Sequence, residues 1–104
     1  MRIAVACDGL AVAPFFVQTT SYMFYTVKQG VIVDSRNLPA FDKTLRELAD
    51  LLKSLEVDVL VVGSIEPEMA AVIRDAGIEL AEGASGEPLT AARACVSEMF
   101  ALAD

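Results

Sequence analysis

Cys7, Asp8 and Gly9 close an apolar run, Ile3-Ala4-Val5-Ala6, and are the first residues whose types could do chemistry. A thiolate there suits a soft centre such as copper(I), zinc or an iron–sulfur cluster, which makes Cys7 the candidate metal ligand. The plainer use of a lone cysteine is as a small buried hydrophobe, and Cys95 on the last predicted helix reads that way. Asp8 before a glycine could coordinate a cation, or bond its own backbone in a turn. Gly63-Ser64 precedes a predicted helix and offers backbone N–H groups and a positive dipole end to an anion. Equally, Ser64 or Glu66 could simply cap that helix. Gly83, opening Gly83-Ala84-Ser85-Gly86, is a second small cradle, but no phosphate-loop lysine follows it. Phe15 and Phe16 stand in a loop before Tyr22, Phe24 and Tyr25, and an exposed pair there would mark a ligand or partner surface. Strand alternation puts Tyr22 and Phe24 on one face and Met23 and Tyr25 on the other, as core packing would also require.

Composition closes other routes. There are 8 Lys+Arg against 15 Asp+Glu and no histidine, for a formal net charge of −7. Without imidazole there is no Ser–His or Cys–His nucleophile pair and no histidine metal ligand. An acidic chain lacks the basic surface that nucleic-acid binding requires. Asp8, Glu66 and Glu82 could in principle hold two metal ions ~3.5–4 Å apart, as in metal-dependent nucleases, but fold analogy is a weak warrant for that. The two cysteines lack CxxC spacing and read as reduced thiols. The first apolar run is shorter than the ~7–15 residues of a signal core, and nothing approaches the ~18 of a membrane span. A cytoplasmic protein with no membrane or nucleic-acid partner is expected. At 104 residues, one domain covering 1–104 is expected.

The elements that must position these residues follow from periodicity. Residues 2–7, 21–27 and 31–33 read as strands, with Lys28-Gln29-Gly30 as a hairpin turn and Asn37-Leu38-Pro39 ending the third. Phe41, Leu45, Leu48, Ala49, Leu52 and Leu55 mark an amphipathic helix, capped by Asp42 or by Thr44 with Glu47 in capping-box spacing. Val57–Val62 is nearly unbroken and apolar, as a central parallel strand should be. Pro67 and Pro88 suit first helical positions, and Gly77 a helix stop. Ile78–Ala81 is a short edge strand, and Leu89, Ala92, Val96, Met99 and Phe100 point inward from the last helix. The order β-β-β-α-β-α-β-α predicts an α/β, three-layer, ribonuclease H-like fold with a five-stranded mixed sheet. The Gly-terminated ends of its first, fourth and fifth strands then share one edge, where ligands of open α/β sheets bind.

These segments resemble a known family. Ile3-Ala4-Val5-Ala6-Cys7-Asp8-Gly9, Val12-Ala13-Pro14-Phe15-Phe16 leading to Tyr22-Met23-Phe24-Tyr25, and Val57–Gly63 are similar to the dinitrogenase iron-molybdenum cofactor biosynthesis family. Ala76-Gly77-Ile78, Gly83 and the final helix continue the likeness across nearly the whole chain. The resemblance implies a ribonuclease H-like fold and a nitrogenase-accessory-like protein that binds a molybdenum- or iron-containing sulfur cluster. Family members often read His-Phe-Gly-Arg where this chain has Phe15-Phe16-Val17-Gln18, and Gly-Gly-Ile-Gly where it has Gly63-Ser64-Ile65-Glu66. The expectation is a non-enzymatic carrier or assembly accessory whose partner is a cofactor donor or acceptor protein. Its expected site is Cys7, Asp8, Gly9, Phe15, Phe16, Gly63, Ser64 and Gly83. The alternative is an interaction module that kept the fold and lost the cluster, with Phe15, Phe16 and Val17 contacting a partner or a second copy as a homodimer.

Overall fold

A strand apolar at every position has no side for water, so Ile3–Cys7 must be covered on both faces. In the computed structural model, which describes residues 1–40 and 43–101 (without the side chains of Phe100 and Ala101), those five residues are all buried. They form the middle of β1 (Arg2–Asp8), which pairs with β3 (Ser21–Lys28) on one side and β5 (Val59–Val61) on the other. β4 (Val31–Pro39) extends the antiparallel side and β6 (Glu79–Ala81) the parallel side, giving the order β4-β3-β1-β5-β6. A sixth strand, β2 (Ala11–Val12), pairs with the end of β1. It adds one strand to the expected five: two residues are too few to show alternation in a sequence.

Local chemistry explains the boundaries. Gln29 and Gly30 both have positive φ, 51° and 77°, as the tightest two-residue hairpin demands. The first helix, α1 (Leu45–Ser54), starts at a complete capping box. The Glu47 amide donates to Thr44 Oγ1 at 3.2 Å, and the Thr44 amide donates to Glu47 Oε1 at 3.0 Å. The readings of Phe41 as a buried helical residue, Asp42 as a cap and Phe100 as inward-facing lie outside the described residues. The second helix, α2 (Pro67–Asp75), begins at Pro67, and Gly77 follows it at φ 86°. The third, α3 (Pro88–Ala101), begins at Pro88.

Alternation along the strands divides the interior in two. Ala4, Ala6, Tyr22, Phe24 and Leu60 face α1 and α2 and pack with Leu52 and Ile73. Ile3, Val5, Cys7, Tyr25 and Val61 face α3 and pack with Ala92, Cys95 and Val96. This is the expected three-layer arrangement, helix on sheet on helix. Both tyrosines and Phe24 are core residues. Among the described residues, no helix is long and apolar enough to cross a membrane.

Candidate functional site

The tips of β1, β5 and β6 are neighbours, but the crevice expected between β1 and β5 is filled by the chain itself. After β2 the segment 13–16 runs back across the sheet edge. The Ala13 amide donates to the Ala6 carbonyl at 3.0 Å, the Ser64 amide to the Pro14 carbonyl at 2.9 Å, and the Phe16 amide to the Ser64 carbonyl at 2.8 Å. Gly63 is required here by space alone. A Cβ on it would lie 2.5 Å from the Ala13 oxygen and 2.8 Å from the Pro14 oxygen. On the other side, the Gly83 amide donates to the Gly63 carbonyl at 2.8 Å and the Ala84 amide to the Val62 carbonyl at 3.0 Å. The amides of Ser64 and Gly83, expected to face an anion, are therefore bonded within the fold.

The expected site residues accordingly separate. Cys7 is 1% exposed and faces the α3 core, where its Sγ donates to the Val5 carbonyl at 3.4 Å. Burial pushes its thiol above the ordinary value, and the backbone hydrogen bond at Met23 lowers it only in part. A protonated, covered sulfur of this kind offers no thiolate to the crevice, so Cys7 leaves the ligand set. The reason is parity: position 7 shares the face of Ile3 and Val5. Asp8 and Gly9 form an exposed turn tied by Thr20, whose Oγ1 accepts from the Gly9 amide at 3.1 Å and lies 3.5 Å from Asp8 Oδ1. Phe16 is buried in the α1–α2 core, whereas Phe15 is 55% exposed. Gly83 borders a separate cavity of about 290 Å³ against α3, on the opposite face of the sheet.

What remains together is Phe15, Phe16 and Ser64. With Val17, Glu66 and Met69 they line a cavity of about 340 Å³ at the start of α2. Ile65 and Met69, packed against the α1–α2 core, anchor its floor to the sheet. Its outer wall is apolar, with Val17 66% exposed beside Phe15. Its inner end is the N-terminus of α2, where Glu66 makes no side-chain cap and Pro67 has no N–H to give. The positive end of a helix thus meets a soft thioether, Met69, and one carboxylate, Glu66. Met69 was not among the expected site residues, and Val17 was expected only in the alternative reading, as a partner contact. Met69 lies on the helical stripe and reads as core, and Val17 carries no chemistry of its own.

The three carboxylates considered for metal catalysis do not meet. Glu82 pairs with Arg74 at 3.1 Å, Glu66 borders the cavity, and Asp8 sits in the exposed turn. Among the described residues no group of three Cys, Asp or Glu side chains is placed to hold a metal ion.

Fold and cavity define a three-layer α/β domain with a pocket at the strand ends beside a helix N-terminus. The model of the dinitrogenase iron-molybdenum cofactor family matches residues 1–99, and the chain belongs to that family. No curated protein sequence matches it. Among solved structures, that of PH0822 superposes with a TM-score of 0.84 at 14% identity, covering 94% of this chain and 90% of the other. A candidate dinitrogenase from Methanococcus jannaschii, MJ0327, gives 0.75 at 12% identity, covering 95% and 89%. A candidate NifB protein from Thermotoga, TM1290, gives 0.71 at 17% identity, covering 92% and 87%. At these identities the structures establish the shared fold.

Proposed function

We propose that this chain is a non-catalytic accessory protein of iron–molybdenum-type cofactor assembly, which takes a metal–sulfur cofactor as cargo in the cavity between Phe15 and α2. The observation that carries this reading is the uncapped N-terminus of α2 opening into a cavity with apolar walls. A helix N-terminus favours an anion, and the Met69 thioether is a soft, polarizable neighbour for sulfur and metal. The cavity presents neither thiolate nor imidazole. Cargo held here keeps its own complete ligand set and is gripped by contact, so transfer to an acceptor protein needs no ligand exchange with this chain. Glu66 and the net charge of −7 select against the most highly charged clusters.

The test is gel filtration under anaerobic conditions after mixing the protein with a molybdenum–iron–sulfur cluster in thiol buffer. Visible absorbance co-eluting with wild type, abolished in Phe15→Asp and unchanged in Cys7→Ser, supports the reading. No co-elution with wild type, or equal co-elution with Phe15→Asp, overturns it.

A second reading has its own observation: Leu10, Phe15 and Val17 are 95%, 55% and 66% exposed. Large apolar side chains left in water mark contact with another protein. On that reading the cavity receives an apolar side chain of a cofactor donor or acceptor, and such a protein binds equally well without cluster.

A further inference from the structure

The sheet leaves one long edge unpaired among the described residues. β4 pairs only with β3, and its middle residues, Asp34 to Asn37, are exposed. Which backbone groups of β4 face outward follows from the far side of β3. The Met1 and Val27 backbones exchange both hydrogen bonds, at 3.1 and 2.7 Å. Alternation in an antiparallel ladder then turns Tyr25 and Met23 towards β1, and Phe24 and Tyr22 towards β4. Arg36 and Leu38, their partners on β4, therefore use their backbone groups on β3. Ser35 and Asn37 turn theirs away from the sheet.

We propose that β4 pairs antiparallel with β4 of a second copy of this chain, about a two-fold axis through Ser35. This register sets the outward groups of Ser35 against themselves. It also sets Asp34 of each copy opposite Arg36 of the other, twice by symmetry. Neighbouring registers are disfavoured by charge: an axis through Arg36 opposes two guanidinium groups, and one through Asp34 opposes two carboxylates. Opposite charges across a ladder stabilise it, and like charges directly opposed destabilise it. Neither Asp34 nor Arg36 has an ion-pair partner among the described residues of its own chain, whose salt bridge is Arg74–Glu82. The contact is short. A bulge interrupts β4 near Val33, and Pro39 lacks an N–H at the other end. Five residues cover little of a 6130 Å² surface, well below the ~1,200–2,000 Å² of a stable interface, so the dimer is transient and concentration-dependent.

Sedimentation equilibrium over a concentration series at low salt tests this. The weight-average mass of wild type is expected to climb from 11.1 kDa towards twice that value, and less so with added salt. D34R and R36D are each expected to weaken association by about tenfold or more, since each turns two attractive pairs into two repulsive ones. Mixing the two variants restores it, because every opposed pair is again of unlike charge, and that rescue also shows both variants folded. Wild type that stays at 11.1 kDa throughout, dimers that persist in either single variant, or a mixture no more associated than its components would each overturn the proposal.

Discussion

Gly63→Ala tests whether the cavity wall is held by close backbone contact. The added methyl would meet the Ala13 oxygen at 2.5 Å and the Pro14 oxygen at 2.8 Å, both on backbone that no rotamer change can move. Relief requires segment 13–16 to withdraw by at least about 0.5 Å, to reach the 3.0 Å that real Cβ atoms tolerate. That displacement strains the Ser64–Pro14 and Phe16–Ser64 hydrogen bonds, now 2.9 and 2.8 Å. Overpacking costs about 1–3 kcal/mol and each weakened bond up to about 1 kcal/mol, so a loss of about 2–4 kcal/mol is expected. A domain stable by about 5–15 kcal/mol survives that but melts well below wild type. The assay is urea unfolding followed by circular dichroism, with Gly83→Ala as the comparison. Gly83 has φ 84° and open space, so alanine there bears only the left-handed backbone penalty of about 1–2 kcal/mol. If Gly63→Ala proves no more destabilising than Gly83→Ala, the close-contact reasoning fails.

Further expectations concern the helix cap, pH and thiol chemistry. Thr44→Ala should lower stability by about 1 kcal/mol in urea melts through loss of the cap. Hydrogen bonds from the backbone and side chain of Thr44 hold the Glu47 carboxyl below its usual value of 4.5. Its stabilisation is thus present above pH 4.5 and lost as pH falls through the depressed value, and Glu47→Gln should flatten that acid limb. Burial raises the Cys7, Cys95, Tyr22 and Tyr25 groups, with Glu98 and Glu79 adding to the effect at Cys95 and Cys7 at Tyr25. Stability is therefore full below the ordinary thiol value of 9.0 and falls as pH rises from there through the raised values. Correspondingly, an aromatic disulfide reagent should titrate both thiols in denaturant and neither in native protein at pH 8; rapid native labelling of Cys7 would contradict its burial.

Much of this fold is legible because its cues are local. Ile3–Cys7 is apolar without interruption, Val57–Val62 is broken only by Asp58, Thr44 and Glu47 have capping spacing, and Pro67 and Pro88 start helices. β2 escapes because its pairing is dictated by the turn that returns it onto β1. The site is legible only to the level of an edge. Parity assigns a side chain to a face, and it could have placed Cys7 with Ile3 and Val5 against α3. Nothing local says that segment 13–16 returns to bond Ser64, since that contact joins residues 48 or more positions apart. The same long-range latch decides that Phe15 is exposed and Phe16 buried.

That latch separates the exposed wall of the cavity from what keeps the domain folded. The outer wall of the cavity is a short excursion of chain fastened to the end of β5 through main-chain atoms, so replacing Phe15 or Val17 need not disturb a single strand-to-strand bond. The shape and polarity of the cavity can therefore change at these positions while the central sheet stays as it is.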